Sequence, residues 1–255
     1  MKKQPIQQSV NKLTPVLAAF ALVASLSVCR GTTVFFDDFS EASGTLIVGK
    51  SADLGGIWSQ SGTSANGLTI SSGNSVDTSG NPRLVFDSFT SSLGAGQIIT
   101  LSFDTLMQGN NAGLGNTGWA GVSLYSGFVS GASPGSEQMF EGQPSANFWG
   151  KDGGAIGGQA FGSDGTVVNH LTLTYAYDTG AWTFSSGSSF LSGIGTANLA
   201  LNGLRIGNGN GADINLDNLT VDISPVPEPS SLALVGAGFG LLLVLRRRTS
   251  VKHTI

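Results

Sequence analysis

Glycine is the residue type that most limits how this chain can fold. The sequence has 38 glycines among 255 residues, about 15%, against roughly 7% in an average protein. Between Thr32 and Ser224, several glycines interrupt every window in which apolar residues recur at helical spacing. Because each glycine inside a helix costs about 1 kcal/mol relative to alanine, the sequence excludes long helices from this part of the chain.

Short segments of alternating apolar and polar residues predict β-strands instead. The clearest pair is HLTLTYAYD followed by AWTFSS, where Asp178-Thr179-Gly180 predicts a three-residue hairpin loop. The other predicted strands are Thr33–Phe39, Gly67–Ser72, Arg83–Phe89, Gln97–Met107, Trp119–Gly127 and Asp213–Ser224.

The last of these strands changes its alternation halfway. Ile214 and Leu216 share one phase, but Leu219, Val221 and Ile223 share the other. The shift predicts a β-bulge at Asp217 and Asn218, where an extra residue restores the inward direction. About ten short strands over roughly 190 residues predict one all-β domain at 32–224, an antiparallel β-sandwich of the jelly-roll type.

Acidic and basic residues are segregated along the chain. All 16 carboxylates lie between Asp37 and Glu228, a span with only four cations and therefore a net charge of −12, whereas the other eight cations lie in the two tails. A strongly acidic body repels nucleic-acid phosphates and anionic lipid. The sequence therefore excludes nucleic acid as a partner.

Residues 1–31 have the organisation of a secretory signal peptide. Lys2, Lys3 and Lys12 precede an apolar run of 13 residues at 16–28. Cleavage is expected after Cys29 or after Gly31, with a lipoprotein acylated at Cys29 or an uncleaved anchor as alternatives. Since Cys29 is the only cysteine, the chain forms no internal disulfide and no cysteine-based zinc cluster.

The segment 225–255 combines a proline pair, an apolar run and an arginine cluster. Pro227 and Pro229 flank Glu228 and keep the chain extended. The following apolar stretch predicts a short transmembrane helix at 231–245, ending at Arg246, Arg247 and Arg248. Its 14 uncharged residues from Leu232 onward span roughly 21 Å as a helix. The arginines favour the cytoplasmic side, which agrees with export of the body.

This order of parts, from Val226 through Pro227-Glu228-Pro229 to Arg246–Arg248, resembles the PEP-CTERM sorting signal of Gram-negative bacteria. The resemblance implies recognition by an exosortase, with Val226–Pro229 as recognition or cleavage positions. It also implies transient anchoring in the inner membrane, then residence in the envelope or extracellular matrix of a bacterium that makes exopolysaccharide. A plain membrane anchor with a proline-rich stalk is the alternative.

The body resembles the concanavalin A/laminin-G-like jelly rolls of bacterial extracellular proteins. The resemblance lies in HLTLTYAYDTGAWTF, in FFDDF near the start and in DNLTVDIS at the end. It implies that the first and last strands pair. Many members of that superfamily bind carbohydrate, some of them through calcium, and some are glycoside hydrolases.

Catalytic residues are missing from the sequence pattern. Jelly-roll glucanases place paired carboxylates on one strand, as Glu-x-Asp-x-x-Glu, and no such strand occurs here. Glu137 and Glu141 are predicted to lie in a loop between glycines and prolines. His170 is the one histidine of the body, predicted at a strand surface, and no G-x-S-x-G motif accompanies it. We therefore expect no enzymatic activity.

Two candidate binding sites remain. Asp37, Asp38, Asp213 and Asp217 belong to the terminal strands and are predicted calcium ligands, because calcium takes 6–8 oxygen ligands. The alternative is that these carboxylates discourage aggregation at sheet edges. Aromatic side chains in Gly/Asn/Ser-rich loops are candidate sugar platforms, and the predicted ligand-binding residues are Trp149, Asn147, Asp152 and Trp119. Core packing is the alternative for these tryptophans.

The function predicted from the sequence is that of a non-catalytic exported protein of the cell envelope or extracellular matrix. It is sorted by an exosortase and associated with exopolysaccharide. The alternatives are a lectin-like carbohydrate-binding module, assisted by calcium, and more remotely a glycoside hydrolase.

Overall fold

A computed structural model of the chain describes residues 31–60, 68–71, 76–77, 83–106, 119–129, 135–143, 150–151, 154–155, 168–209 and 215–226. The predicted signal peptide and transmembrane helix lie outside these residues. One compact unit runs from Gly31 to Val226. Its regular elements, over the ranges just given, are all strands. Within the same ranges no helix has the length and apolar character needed to cross a membrane.

Fifteen strands are assigned in the described residues, and all of their pairings are antiparallel. In chain order they are β1 Thr32–Asp37, β2 Ser59–Gln60, β3 Thr69–Ile70, β4 Val76–Asp77, β5 Arg83–Ser88, β6 Gln97–Leu106, β7 Trp119–Ser126, β8 Ser136–Gln143, β9 Gly150–Lys151, β10 Gly154–Ala155, β11 Val168–Ala176, β12 Ala181–Ser186, β13 Ser189–Ile194, β14 Leu201–Gly209 and β15 Asn215–Pro225.

The strands form two sheets. The first sheet has the order β13-β12-β11-β6-β15-β4-β3, and β1 also pairs with β15. The second sheet has the order β10-β9-β8-β7-β14-β5-β2. The expected pairing of the first and last strands is confirmed, because Thr32 lies opposite Ile223 and Asp37 opposite Leu219.

The alternation in HLTLTYAYD produces the predicted two-faced strand. Leu171, Leu173 and Tyr175 are buried, and the threonines between them lie on the outer face. The turn to β12 occupies residues 177–180, one residue more than expected, because the amide of Gly180 donates to the carbonyl of Ala176 and draws Tyr177 into the turn. Gly180 has φ +67°, a conformation that favours glycine.

The predicted bulge in the last strand is confirmed. The register of β15 against β6 shifts between Asp217 and Thr220, and Asn218 takes φ 50°. Asparagine tolerates this left-handed conformation better than most residues. The shift keeps Leu216, Leu219 and Val221 all fully buried.

The hydrophobic core lies between the inner faces of the two sheets. Phe103, Leu171 and Phe184 of the first sheet and Val122, Leu124 and Ile206 of the second are among its fully buried side chains. A cluster of aromatic rings near β1 extends this core, with Phe35 packed edge-on against Trp58 at 5.7 Å between ring centroids. The structure is therefore the all-β antiparallel sandwich that the sequence predicts.

Candidate functional site

An acidic cluster follows β1, where the first strand ends. Asp37, Asp38 and Asp53 each place a carboxylate oxygen within 4.8 Å of the others. Asp37 is fully buried. Asp38 and Asp53 are more accessible, and the backbone amide of Asp38 donates to Asp53 at 3.0 Å. The sequence predicted the first two residues, but Asp53 was missed because it lies in an irregular segment.

The buried cation of this cluster is a lysine. Lys50 Nζ lies 2.7 and 2.8 Å from the two carboxylate oxygens of Asp37 and 2.8 Å from Glu41. Trp58 Nε1 donates to the same Asp37 carboxylate at 2.7 Å, and the amide of Phe39 donates at 3.0 Å. Both oxygens of Asp37 are therefore occupied by donors from the chain itself.

Burial and pairing act against each other in this group. Burial raises the pKa of Asp37, and the hydrogen bonds from Lys50, Trp58 and Phe39 oppose that rise. Burial would lower the pKa of Lys50, but its hydrogen bonds to Asp37 and Glu41 outweigh the effect and raise it. The ammonium therefore stays charged at neutral pH, and a metal ion at Asp37 would have to compete with it.

The other predicted calcium ligands do not join this cluster in the described residues. Asp217 lies opposite Asp104 in the β15–β6 register, and Asp213 lies outside the described residues. Burial raises the pKa of Asp217, and the nearby carboxylates of Asp104, Asp38 and Asp37 add to the rise. As they stand, the described carboxylates offer fewer available oxygens than the 6–8 that calcium takes.

A second charged group lies on the outer face of the second sheet. Arg205 follows the core residue Leu204 on β14 and therefore points to the opposite face. Its guanidinium donates to Glu137 at 2.6 Å and to Ser123 Oγ at 2.8 Å, and Ser123 Oγ donates to Glu137 at 2.6 Å. The Arg205 side chain is 12% exposed and that of Glu137 is 38% exposed, so the carboxylate is accessible to a ligand from solvent.

Aromatic rings support this group. The guanidinium carbon of Arg205 lies 5.6 Å from the centroid of the Tyr125 ring, a distance typical of a cation–π contact. Phe86 packs edge-on against Tyr125 at 5.7 Å. Burial raises the pKa of Tyr125 to about 12, so its hydroxyl stays protonated. The arrangement presents the Glu137 carboxylate beside a buried base of Tyr125 and Phe86.

The expectation that Glu137 and Glu141 lie in a loop is wrong. Both belong to β8, which pairs with β7 from Ser126–Ser136 to Ala120–Gln143. The segment SEQMFEGQ has little apolar alternation, and its flanking glycines suggested a loop. Pairing with the long neighbouring strand overrides these weak local preferences.

Of the predicted aromatic candidates, the structure describes the backbone of Trp119, at one end of the second sheet. Trp119 opens β7, and its neighbour Ala120 lies opposite Gln143 at the end of β8. Gly150 opens β9 opposite Gly142 of β8. The structure thus brings the start of β7 and the start of β9 to the same sheet end. Trp149, Asn147 and Asp152 lie outside the described residues.

Two further tryptophans and the histidine of the body contact other parts of the fold. Trp58, 1% exposed, is a core residue, and Trp182 is partly buried against the core. His170 is an exposed strand residue, as expected, and its Nδ1 lies 2.7 Å from Asp104. Asn218 donates to the same carboxylate at 2.9 Å. These contacts stabilise the surface of the first sheet, and none of them presents a nucleophile.

Comparison with protein families identifies the C-terminal signal. Residues 225–248 match the model of the PEP-CTERM protein-sorting motif, as the resemblance predicted. The chain therefore carries a sorting motif of exported proteins, one that implies transient anchoring in a membrane and processing by an exosortase. No curated protein matches the chain by sequence.

Solved structures show similarity in fold. An endo-1,3-β-glucanase from Streptomyces sioyaensis matches 76% of this chain and 96% of its own, with 11% identity and a TM-score of 0.52. Lectin II from Ulex europaeus matches 66% of this chain and 91% of its own, with 12% identity and a TM-score of 0.42. The globular domain of T. cruzi calreticulin matches 74% and 87%, with 13% identity and a TM-score of 0.44. At such low identity the glucanase similarity establishes the sandwich fold alone.

Proposed function

We propose that the protein is a non-catalytic component of the envelope or extracellular matrix of a Gram-negative-type bacterium, associated there with exopolysaccharide. The observation that carries this proposal is the sorting motif at residues 225–248, which marks an exported substrate of an exosortase. The sandwich is then the part delivered outside the membrane.

The absence of catalysis is inferred from the state of the described carboxylates. Glu137 accepts hydrogen bonds from Arg205 and Ser123, so this carboxylate is already engaged by groups of the sheet itself. Asp87 and Asp37 are fully buried and out of reach of a polymer. Glycoside hydrolysis needs two carboxylates that flank the scissile bond, and these three do not supply such a pair.

Glycan association is assigned to the outer face of the second sheet. Glu137, 38% exposed, offers a charged acceptor for sugar hydroxyls, and charged hydrogen-bond partners are stronger than neutral ones. Trp119 lies at the start of β7, at the end of the same sheet. Aromatic rings in such positions supply apolar area for the C–H faces of a sugar.

A calcium-assisted, lectin-like module is the second candidate. It is favoured by the proximity of Asp37, Asp38 and Asp53. Because Lys50 already neutralises Asp37, this candidate requires Asp38 and Asp53 to supply the ligands. A chelator that weakens glycan binding would favour it, and binding indifferent to chelator would favour the first proposal.

Sorting is tested in a host that has an exosortase. The double variant Pro227→Ala/Pro229→Ala should remain in the membrane fraction with its full mass, whereas the wild type reaches the matrix with a shorter C-terminus. Ser231→Ala is the matched control and should behave as the wild type. Equal delivery of the double variant to the matrix would contradict the sorting assignment.

Polysaccharide association is tested in the same host. In a strain that makes no exopolysaccharide, the processed protein should leave the matrix fraction and appear in the medium. Retention in the matrix fraction without the polysaccharide would overturn the association while leaving the sorting assignment in place.

A further inference from the structure

One end of the first sheet differs from the other described sheet ends. The two sheets end in β3, β10, β2 and β13, and β1, which pairs with β15 beside β4, is a further edge. In the described residues β3, β10 and β2 have two residues each, whereas β1 and β13 have six. The outer side of β1 is partly covered, because Phe36 is bridged to Leu54 and Thr90 donates to the carbonyl of Val34. The edge of β13 is Ser189–Ile194. A long edge strand presents a row of backbone donors and acceptors that can pair with another strand, and natural proteins commonly shorten such edges.

The β13 edge also lacks the residues that usually protect an edge. From Ala181 to Asn202 the sequence contains no charged residue and no proline. Charged side chains and proline are the common means by which exposed edges avoid pairing. In a body with fifteen carboxylates against four cations, two copies repel each other less through an uncharged stretch of this kind than through acidic surface.

Large apolar side chains are exposed at this edge. Phe190 is 66% exposed and Ile194 is 81% exposed. Ile194 borders a shallow concavity of about 530 Å³ whose lining is uncharged and includes Ile98, Ala181, Thr183 and Ser192. Exposed apolar area next to an open strand edge is typical of an interaction surface.

The outer face of β13 is compatible with its own copy. Phe190, Ser192 and Ile194 lie on that face, because they pair with the outward residues Ser185, Thr183 and Ala181 of β12. If two copies of β13 pair antiparallel with Ser192 opposite Ser192, each Phe190 lies opposite an Ile194 of the other copy. Both apolar side chains then gain an apolar cross-strand neighbour.

We propose that β13 is a self-association edge, through which two copies of the chain pair antiparallel about a twofold axis at Ser192. The contact is isologous, so it closes at a dimer. The two first sheets then form one continuous sheet. This proposal goes beyond the proposed function, because it concerns assembly and does not depend on glycan binding.

Disulfide trapping tests the register. The Gly31–Val226 unit has its own core, so we expect it to fold alone, and it contains no cysteine. In the proposed pairing the two Ser192 Cα atoms lie roughly 4.5–5.5 Å apart, within the range that a disulfide spans. Ser192→Cys should therefore give a covalent dimer on mild oxidation. Ser189→Cys is the matched control, because the two copies of residue 189 lie roughly 20 Å apart in this register.

Sedimentation equilibrium tests the association itself. The unmodified unit should form a dimer at micromolar concentration, more strongly at high salt because salt screens the acidic bodies. Ser192→Lys should weaken dimerisation at least tenfold, since two cations then face each other. Thr172→Lys, on the same outer face but two strands inward, should leave it unchanged.

Two results would overturn the proposal. The first is a monomer at all concentrations together with no covalent dimer of Ser192→Cys. The second is a dimer that Thr172→Lys and Ser192→Lys affect equally, which would place the contact elsewhere on the molecule. Pairing of β13 with a strand of a different protein in place of its own copy would give the first result.

Discussion

A buried carboxyl in the second sheet predicts that the sandwich loses stability as the pH rises. Asp87 on β5 is fully buried. One of its oxygens accepts the amide of Ser88 at 2.6 Å, and the other has no hydrogen-bond partner in the part of the chain that the structure describes. Burial raises the pKa of Asp87 to about 7, against the opposing effect of the Ser88 and Gly56 amides.

The size of the effect follows from the displacement of this pKa. A rise from 3.8 to about 7 corresponds to roughly 4 kcal/mol at 1.36 kcal/mol per unit. Since the folded state binds this proton more tightly than the unfolded state, the contribution is present at low pH. It is lost as the pH rises from about 4 through about 7, and it is constant above that range.

The variant Asp87→Asn removes the titration and keeps the side-chain shape. The wild type should lose about 3 kcal/mol of unfolding free energy between pH 4.5 and pH 8, whereas the variant should not. Relative to the wild type, the variant is therefore about 3 kcal/mol more stable at pH 8 than at pH 4.5. Urea denaturation of the Gly31–Val226 unit at both pH values measures this difference. Thr172→Ser, on the outer face of β11, changes no titratable group; it is the control and should show no such pH dependence. A variant that is equally destabilised at both pH values would refute the reasoning.

Three further substitutions test the packing around the candidate site. Lys50→Met leaves the buried Asp37 carboxylate without its cation and should lower the free energy of unfolding by about 3–5 kcal/mol, measured by urea denaturation. Trp58→Phe removes the indole donor to Asp37 and part of a fully buried ring, so a loss of about 2–4 kcal/mol is expected; a neutral result would mean that neither the bond nor the packing of the indole stabilises the fold. Gly203→Ala places a Cβ 2.8 Å from Phe128 Cγ and should cost about 1–3 kcal/mol. Gly94→Ala, whose Cβ has room, should be near neutral, and equal losses in the two glycine variants would contradict the packing argument.

Much of the fold could be predicted because the strands with strong alternation also form the core. The β11–β12 hairpin and the bulge at Asp217 follow from the alternation of local segments, whereas the pairing of β1 with β15 was expected from the resemblance to concanavalin A/laminin-G-like jelly rolls. Such patterns report which face of a strand is buried. The strand β8 was missed because its stability comes from the neighbouring strand and not from its own residues.

The candidate sites were harder to predict because their residues come from distant parts of the chain. Asp37 was singled out from the sequence. Its partners Lys50 and Trp58 follow it in an irregular segment whose apolar residues show neither helical nor strand spacing. Arg205 and Glu137 lie 68 positions apart in the sequence. Their direct contact exists because β14 and β8 pair with opposite sides of β7. Tertiary pairing of this kind leaves no local sequence signal, although an arginine within an otherwise uncharged strand is a sign of a nearby carboxylate.

The central claim is that the sandwich binds exopolysaccharide and does not cleave it. One binding isotherm of the Gly31–Val226 unit on the host's purified exopolysaccharide, with reducing ends counted in the same samples, tests both parts. We predict saturable binding, weakened by Glu137→Gln or Trp119→Ala, with no increase in reducing ends over hours. Absence of binding, or a steady release of reducing ends that depends on the protein, would contradict the account.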